Sequence, residues 1–400
     1  MVAKSTYDVA VVGGGPAGLS ATCLMAELGL NVICWAGPPR SDSRTTALMQ
    51  GSMRLLQHLG VWGGSNLKSE CAPLKTLELV DATGRMPRAP TVTFQSTELG
   101  PEPFGWNIPV TQLTGALTEF LQKLPNVELV AGSAEKVTPS SDGVSIQGEK
   151  TGTVLAKLVL AADGRSSMCR KAAGISVSKW DYPQVAVVTT FEHVTPHNDV
   201  SIEFHRKAGP LTTVPLPGNR SSLVWVETKE EAERLIGLSD ERFCNELTFK
   251  TQDRLGLISS PTQRALFPIS GMAARRFADR RTVLIGEAGH VIPPIGAQGL
   301  NISLRDGALA AELAADAISE NEDIGGPGIM NTYDQRRRKD IFPRQVAVDL
   351  LNRTLISGFL PFQGMRSIGL TALQNIGPLR RQIMREGLAP TRDLPKVMQG

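Results

Sequence analysis

The chain has few cysteines and no grouping of residues that is typical of a metal site. Its five cysteines include no Cys-x-x-Cys pair, which argues against structural zinc and indicates a reducing compartment. Two of its five histidines, His193 and His197, are four residues apart, but Pro196 between them argues against a helical ligand pair. We therefore predict no metal.

Charge of one sign and long apolar runs are also scarce. The net charge of +3 argues against a nucleic-acid partner. No apolar run reaches the ~20 residues needed to cross a bilayer. The mostly apolar stretch from Val9 to Trp35 contains Glu27 and Asn31 and lacks the pattern of a secretory signal. We expect a cytoplasmic protein with two or so domains, because 400 residues that are 41% apolar can bury a large core.

The N-terminal region carries a dinucleotide fingerprint. An apolar run, Tyr7 to Val12, leads into Gly-Gly-Gly-Pro-Ala-Gly and then into an alanine- and leucine-rich segment, which predicts strand, turn and helix. Gly13 allows the tight turn, Gly15 lets the backbone reach a pyrophosphate, and Gly18 lets the helix pack on the strand.

The next predicted strand, Asn31 to Trp35, lacks the acidic residue that usually holds the adenosine ribose at a strand end. Ala36 stands there instead. The nearest acids, Glu27 and Asp42, do not fit the strand-end position, so we expect weakened adenosine binding unless the loop through Ser41, Asp42 and Arg44 compensates.

Two further motifs follow in order. Asp163-Gly164 comes after the strand-like run Lys157 to Leu160, although Asp-Gly is also a common turn. Later, Glu287 and a glycine run from Gly296 precede a predicted helix. Backbone N–H groups at a helix N-terminus favour negative charge nearby, and glycines permit close approach.

This series of motifs resembles the single-component flavoprotein hydroxylases, which have a fold like that of para-hydroxybenzoate hydroxylase. The resemblance implies that Glu287 holds the ribityl chain of FAD and that Asp163 serves the pyrophosphate region and the approach of NAD(P)H. It also implies that the glycine run passes along the isoalloxazine edge, with Gly296, Gly299, Leu300 and Asn301 as its cofactor-binding residues.

The segments Asp42 to Leu48 and Leu55 to Trp62 narrow the resemblance to ubiquinone-biosynthesis hydroxylases, and it covers nearly the whole chain. It implies FAD contacts for Arg44 and Gln112 and places the Val137 backbone near adenine. Alternatively, Arg44 is a solvated loop charge, Gln112 a helix cap and Val137 a simple strand residue. The chain departs from the family pattern at four positions, namely Ala36, Glu287 for aspartate, Gly289 for alanine and Ala297 for glycine.

The predicted fold class is α/β, with a Rossmann-like FAD-binding domain, an interleaved mixed β-sheet substrate domain and a C-terminal helical segment. We predict an FAD-binding domain from residues 1–75, 106–180 and 265–330, a substrate domain from 76–105 and 181–264, and a helical region at 331–400. The substrate-domain strands are predicted at Leu77 to Val80, Val185 to Phe191, Val200 to Phe204, Leu211 to Val214 and Ser222 to Val226.

The implied activity is ring hydroxylation of a polyprenylated phenol in ubiquinone biosynthesis, with NAD(P)H and O2, through a flavin C4a-hydroperoxide. A base that ionises the phenol would assist, and the candidates are His193, His197, His205 and Tyr182, although each also fits a structural role. Two alternatives are a prenyl-chain reductase on the same fold and a noncatalytic assembly factor of a quinone-biosynthesis complex.

The region 336–385 combines many arginines with apolar residues. This composition predicts contact with the inner face of an anionic membrane or with a quinone-biosynthesis complex. Packing on the protein's own domain is the alternative, and glycines and prolines from Gly358 onward interrupt any long helix.

Overall fold

The computed structural model describes residues 5–38, 42–64, 66–84, 89–356, 376–387 and 393–399. The α/β class is confirmed. Numbered in chain order, the helices are α1 (Pro16–Glu27), α2 (Gln50–His58), α3 (Val61–Gly64), α4 (Val110–Leu121), α5 (Met168–Ala172), α6 (Lys229–Gly237), α7 (Asp240–Lys250), α8 (Gln298–Ser319), α9 (Pro327–Ile356) and α10 (Gly377–Gly387). Short 3-10 helices lie at Asn66–Glu70, Ser96–Glu98, Gly286–Ala288 and Lys396–Met398.

The first sheet is a parallel sheet with an antiparallel extension. Its strands are β1 (Thr6–Val12), β2 (Val32–Trp35), β8 (Val127–Val130), β9 (Ala134–Pro139), β10 (Val144–Gly148), β11 (Gly152–Ala161), β18 (Ala278–Asp279) and β19 (Thr282–Leu284). The order β18-β19-β11-β1-β2-β8 puts β1 in the middle. Val9 to Val12 are all buried, as the unbroken apolar run of a central parallel strand predicts.

The second sheet is mixed and has nine strands. They are β5 (Thr76–Asp81), β6 (Val92–Gln95), β12 (Val177–His193), β13 (Val200–His205), β14 (Pro210–Leu216), β15 (Arg220–Glu227), β16 (Ile258–Ser259), β17 (Ala265–Ala274) and β20 (His290–Val291). All five predicted substrate-domain strands lie within β5, β12, β13, β14 and β15. The domain limits themselves stay a prediction.

The two faces of this second sheet differ in what covers them. One face packs under α6 and α7, with Phe204, Trp225 and Phe243 in a single apolar cluster. The other face, here called the cleft face, is approached by a small sheet of β3 (Thr45–Met49), β4 (Ala72–Leu74) and β7 (Gly105–Pro109). The Thr45 hydroxyl donates to Ser222 Oγ at 2.8 Å and the Asn107 amide donates to the Pro215 carbonyl at 2.8 Å, so β3 and β7 lie against the cleft face.

The C-terminal helices pack back on the body of the protein. The Tyr333 hydroxyl of α9 donates to the Leu284 carbonyl of β19 at 2.8 Å. On α10, Arg380 pairs with Glu98 at 2.5 Å and Met384 is buried. Of the residues predicted to break this region, Gly358, Pro361, Gly364 and Gly369 lie in 357–375, outside the described residues, whereas Gly377 and Pro378 begin α10. Within the described ranges, no helix has the length and apolarity to cross a bilayer.

Candidate functional site

The glycine turn after β1 is closely packed on one side. Gly13 has a φ of +129°, and a Cβ there would lie 2.1 Å from the Ala162 carbonyl oxygen. A Cβ on Gly18 would lie 2.0 Å from the Gly13 oxygen. Gly14, which the sequence interpretation gave no role, is packed equally closely, because a Cβ on it would lie 2.1 Å from the Ala36 oxygen. These glycines fix the turn against the ends of β11 and β2.

Gly15 differs from the other glycines of the turn. A Cβ built on it meets nothing within 4 Å, and it is the N-cap residue of α1 without a side-chain cap. Pro16, the first helical residue, has no N–H to leave unsatisfied. The first-turn amides of α1 therefore face open space at Gly15, which is the arrangement that binds phosphate groups.

Asp163 follows β11 at the same edge of the sheet. Its Oδ2 accepts hydrogen bonds from the backbone N–H groups of Met168 at 2.7 Å and Cys169 at 3.1 Å, so it caps the start of α5. Its Oδ1 is buried, and no described residue donates to it. Burial and the nearby Asp163 carboxylate raise the pKa of the Cys169 thiol well above its ordinary value, so this cysteine stays neutral.

Glu287 is held by an arginine that the sequence interpretation gave no role. Arg165 Nε lies 3.1 Å from Glu287 Oε2 and Nη2 lies 3.0 Å from Oε1, and both side chains are 50% exposed. The two residues therefore form a fork-shaped ion pair that solvent or a ligand can reach. Arg165 directly follows the Asp163-Gly164 dipeptide, so the ion pair joins two of the predicted motifs.

Arg44 lies near enough to Glu287 to interact with its charge. Its Nε donates to Asp42 Oδ1 at 2.8 Å, its Nη2 to Oδ2 at 2.6 Å, and its guanidinium lies 5.2 Å from the centre of the Phe267 ring. The hydrogen bonds that Arg44 donates to Asp42 raise the pKa of Arg44, although burial lowers it, and the negative charges of Asp42 and Glu287 raise it further. The Val110 N–H donates to the Arg44 carbonyl at 3.0 Å, which brings Gln112, exposed in the first turn of α4, to this end of the cleft.

The glycine run at 296–301 forms the loop before α8, here called the flavin loop. Gly296 has a φ of +67° and Ala297, the N-cap residue, has a φ of +52°. The left-handed conformation at Ala297 explains why the family pattern has glycine there, since a Cβ in this region costs roughly 1–2 kcal/mol. A Cβ on Gly289 would lie 3.0 Å from Phe277 Cδ1, so the bulk of this phenyl ring favours glycine over the family's alanine.

Asn301 has a structural role through its side chain. Oδ1 accepts from the Met49 N–H at 2.8 Å and from the Ser52 hydroxyl at 2.7 Å, while Nδ2 donates to the carbonyls of Ala47 at 2.8 Å and Ala297 at 2.6 Å. All four hydrogen-bonding positions of the amide are used. The side chain thus joins the flavin loop to β3, which leaves only its backbone to meet a ligand.

A buried ionic network supports this loop from behind. Asp306 Oδ2 accepts from the Gly286 N–H and from His290 Nε2, each at 2.8 Å, and Oδ1 lies 2.6 Å from Arg337 Nε of α9. Asp340 lies 2.7–2.8 Å from nitrogen atoms of three arginines, Arg305, Arg337 and Arg344. Although burial opposes it, this positive charge lowers the pKa of Asp340 well below its usual range. The network was not predicted from the sequence, where its only signal is the Arg305-Asp306 pair inside an apolar helix.

Val137 and His193 have surroundings typical of structural residues. Val137 is 7% exposed, and its strand β9 pairs with β10 in the main core, so its side chain is structural and the contact of its backbone with adenine stays a prediction. His193 is buried on the helix-covered face beside Phe191, with Nδ1 2.9 Å from the Thr195 carbonyl and Nε2 3.0 Å from Ser221 Oγ. Burial lowers the pKa of His193. Both ring nitrogens have protein partners, so the structure does not bring this histidine to the cleft.

Among the other predicted bases, only His205 combines a place on the cleft face with a carboxylate partner on its own strand. His197 Nε2 bonds to the Leu216 carbonyl at 2.9 Å, and its Nδ1 accepts from the Asp199 N–H. The Tyr182 hydroxyl donates to Asp349 at 2.5 Å and accepts from Trp180 Nε1 at 2.8 Å, which ties β12 to α9. His205 is buried, with Nε2 2.7 Å from Glu203 Oε1.

A family model described as "FAD binding domain" matches residues 6–346. The chain belongs to this FAD binding domain family. This match confirms the predicted FAD cofactor, and two relatives confirm the predicted hydroxylase family. The protein is 32% identical to a ubiquinone hydroxylase UbiL of Rhodospirillum rubrum, covering 100% of this chain and 94% of that protein. It is 28% identical to a 3-demethoxyubiquinol 3-hydroxylase of Escherichia coli, covering 95% and 98%.

Solved structures show the same fold. The p-nitrophenol 4-monooxygenase PnpA of Pseudomonas putida superposes with a TM-score of 0.78 at 19% identity, covering 97% of this chain and 100% of that one. A Klebsiella pneumoniae HpxO variant complexed with FAD has a TM-score of 0.74 at 15% identity, covering 97% and 99%. At this level of identity the likeness supports the architecture alone.

Three observations fit an FAD molecule at this edge of the first sheet. The turn leaves space only at Gly15, where a pyrophosphate would meet the N-terminus of α1. The buried Oδ1 of Asp163 needs a donor that the described residues do not supply, and a ribityl or ribose hydroxyl is such a donor. The flavin loop turns through two left-handed residues and ends at the N-terminus of α8, which favours the negative charge of a reduced flavin.

Proposed function

We propose that this protein hydroxylates the aromatic ring of a polyprenylated phenol in ubiquinone biosynthesis, with NAD(P)H as the reductant and O2 as the oxygen source. The observation that carries the proposal is a half-open apolar wall beside the flavin loop. Four apolar side chains on the cleft face remain partly exposed although their strands have neighbours on both sides. They are Val188, Val214, Val224 and Phe267. An aromatic ring with an apolar tail fits such a surface.

We assign the FAD contacts to the residues that the sequence predicted, with their groups now specified. The amide groups near Gly13, Gly15 and Gly18 would hold the pyrophosphate, and Asp163 Oδ1 with Glu287 would accept hydroxyl groups of the cofactor. Gly296, Gly299, Leu300 and Asn301 would offer backbone atoms to the flavin ring, while Arg44 and Gln112 line the opposite edge of the cleft. Bound FAD would supply the activated oxygen after reduction by NAD(P)H, and the protein would orient the phenol and exclude water.

The test is turnover of a defined probe, 2-farnesylphenol, by the purified FAD-loaded protein. We expect NAD(P)H oxidation that depends on the probe, and one atom of ¹⁸O from ¹⁸O₂ in the ring product by mass spectrometry. A prenyl-chain reductase would instead add two hydrogen atoms without ¹⁸O. A noncatalytic assembly factor would give no turnover of the probe.

We infer that the protein meets its apolar substrate at an anionic membrane surface, through α10. Met384 points into the protein and is buried, while Arg381 and Arg385 are exposed on the same helix. Basic side chains on a helix attract anionic lipid headgroups. Contact with a quinone-biosynthesis complex at the same residues is the alternative.

A further inference from the structure

One row of side chains crosses the cleft face of the second sheet. Directly paired residues of a sheet lie on the same face, and the strand register puts six residues side by side across β5, β13, β14, β15, β12 and β17. They are Leu79, Glu203, Thr212, Val224, Val188 and Ala265. All six are partly exposed, whereas Phe204, Leu211 and Trp225 on the opposite face are buried. The row is therefore a half-open strip of the cleft face.

Glu203 is the only ionisable residue in this row, and the row lies beside the flavin loop. Leu79, its neighbour on β5, packs against the same apolar cluster as Ala297 of the loop. Two residues before Val224 on β15, and on the same face, Ser222 accepts a hydrogen bond from the hydroxyl of Thr45, the first residue of β3. Glu203 thus lies on the part of the cleft face that is bordered by the flavin loop and by β3.

Only one oxygen of the Glu203 carboxylate has a hydrogen-bond partner among the described residues. Its Oε1 lies 2.7 Å from His205 Nε2, two residues along the same strand, and the side chains are 15% and 5% exposed. An ionised carboxylate can only accept hydrogen bonds, so Nε2 carries the hydrogen when Glu203 is charged. Among the described residues, no hydrogen bond to Glu203 Oε2 is found, which leaves this oxygen for a ligand.

The charged side chains around the Glu203–His205 pair have partners of their own, so Glu203 is the carboxylate that can accept a hydrogen bond from a ligand. Asp81 lies opposite His205 on β5, and its carboxylate accepts hydrogen bonds from Thr83 and from the Ala89 N–H. Arg206, the next residue after His205, pairs with Glu227 at 2.6 Å and lies over the Trp225 ring of the helix-covered face. Across the cleft, Arg44 is engaged by Asp42.

We propose that Glu203 receives the phenol proton of the substrate and that His205 positions it. The proposal rests on the proposed function. As the ring is attacked, the O–H bond of the phenol breaks, its proton passes to Glu203 Oε2, and the electron pair stays on the phenol oxygen. The ring becomes more electron-rich at the carbon that receives oxygen. A positioned base of this kind contributes about 10²- to 10⁴-fold in rate, and the histidine fixes the carboxylate in the orientation that the transfer needs.

The kinetic test compares Glu203→Gln with Glu192→Gln, a matched change at an exposed position of β12. With 2-farnesylphenol at pH 7, we expect kcat for product to fall at least about 100-fold in Glu203→Gln, with FAD content and Tm unchanged. Its kcat/KM should then rise with pH, as the phenol, with a pKa of about 10, ionises without help. The unaltered protein and Glu192→Gln should keep a plateau at neutral pH. Equal rates and equal pH profiles in all three proteins would overturn the proposal.

A binding test separates this inference from the proposed function. Flavin absorbance gives the Kd of 2-farnesylphenol and of its methyl ether, which has no phenol proton. We expect the unaltered protein to prefer the phenol by about tenfold, as one hydrogen bond to a charged group predicts, and Glu203→Leu to lose that preference. If the probe is not hydroxylated yet this preference holds, the proposed function fails and the Glu203 contact stands. Equal affinities of the unaltered protein for phenol and ether would rule the contact out.

Discussion

At the scale of single residues, the glycines of the first turn have two different roles. A Cβ built on Gly13, Gly14 or Gly18 would lie only 2.0–2.1 Å from a backbone oxygen, so these positions have no room for a side chain. Gly15, in contrast, faces open space. The sequence motif already predicts these separate roles for Gly13, Gly15 and Gly18, and the structure adds Gly14 to the closely packed glycines. The structure separates residues that the fold requires from the residue that a ligand requires.

The first prediction uses this difference. Gly15→Val should leave the protein folded, because a Cβ at this position meets no protein atom within 4 Å, but should abolish FAD retention, because the valine occupies the space of the pyrophosphate. Gly18→Val is the contrasting variant and should unfold the first sheet. Absorbance at 450 nm per folded protein, with circular dichroism as the folding check, measures both effects. A folded Gly15→Val protein with a full complement of flavin would disprove the assignment of the turn.

The second prediction concerns Ala36, where the family has a ribose-binding acid. Asp42 cannot replace that acid without leaving Arg44, since both of its oxygens are held by the guanidinium. Charge-assisted hydrogen bonds worth roughly 1.5–3 kcal/mol each are therefore missing, and FAD should bind about ten- to hundredfold more weakly than with an acid. Ala36→Glu should raise FAD occupancy, with Ala36→Gln as the uncharged control. Titration with FAD measures this, and very tight binding in the natural sequence without a gain from glutamate would contradict it.

At the scale of elements, local patterns predicted β1, the turn, α1 and the five strands, because each depends on neighbours in sequence. The alternation of Val200 to His205 also contains the signal for Glu203, since Ser201, Glu203 and His205 share one face and Ile202 and Phe204 the other. Which face meets the cofactor could not be predicted, because that depends on where α6 and α7 pack. His193 therefore seemed equivalent to His205 in sequence, although it lies on the helix-covered face.

The third prediction concerns the network between α8 and α9. Asp340→Asn leaves the buried Arg305 guanidinium without its carboxylate partner, and breaking such a buried pair costs about 3–5 kcal/mol. The folded-state pKa of Asp340 is depressed, so its contribution is complete above the unfolded value of about 3.9 and declines as pH falls toward the folded pKa. Urea unfolding from pH 7 to pH 3 should show this decline in the natural protein and a smaller one in Asp340→Asn. Exposed Asp316→Asn is the control, and identical pH dependences would contradict the network's role.

At the scale of the whole molecule, the cleft is built from parts that are far apart in the chain. The flavin loop, β3 and the second sheet meet through Asn301, Thr45 and Ser222. The C-terminal helices hold the outer side, through Arg337 on α9 and Arg380 on α10. A substrate with a long apolar tail would reach this cleft from the side that α10 covers.

The fourth prediction tests that side against a membrane. Vesicles with 30% anionic lipid should sediment the natural protein, and reversing the charges by Arg381→Glu with Arg385→Glu should weaken binding by roughly 1 kcal/mol or more per residue, about five- to tenfold each. Lys229→Glu with Arg242→Glu, on α6 and α7, makes the same charge change on another exposed surface. The effect should fade at high salt. Equal sedimentation of all three proteins would favour a protein complex over lipid as the partner.

The hydrogen bonds of Asn301 also bear on how the protein is made. Residues 47 and 49 of β3 are fixed by an amide that the ribosome adds more than 250 positions later, and that amide's helix is itself held by Arg337 and Asp340. A nascent chain that ends before α9 would have the glycine turn but an unsupported flavin loop. Flavin loading is therefore expected to follow synthesis of nearly the entire polypeptide. A shortage of riboflavin would then leave a full-length protein that lacks FAD.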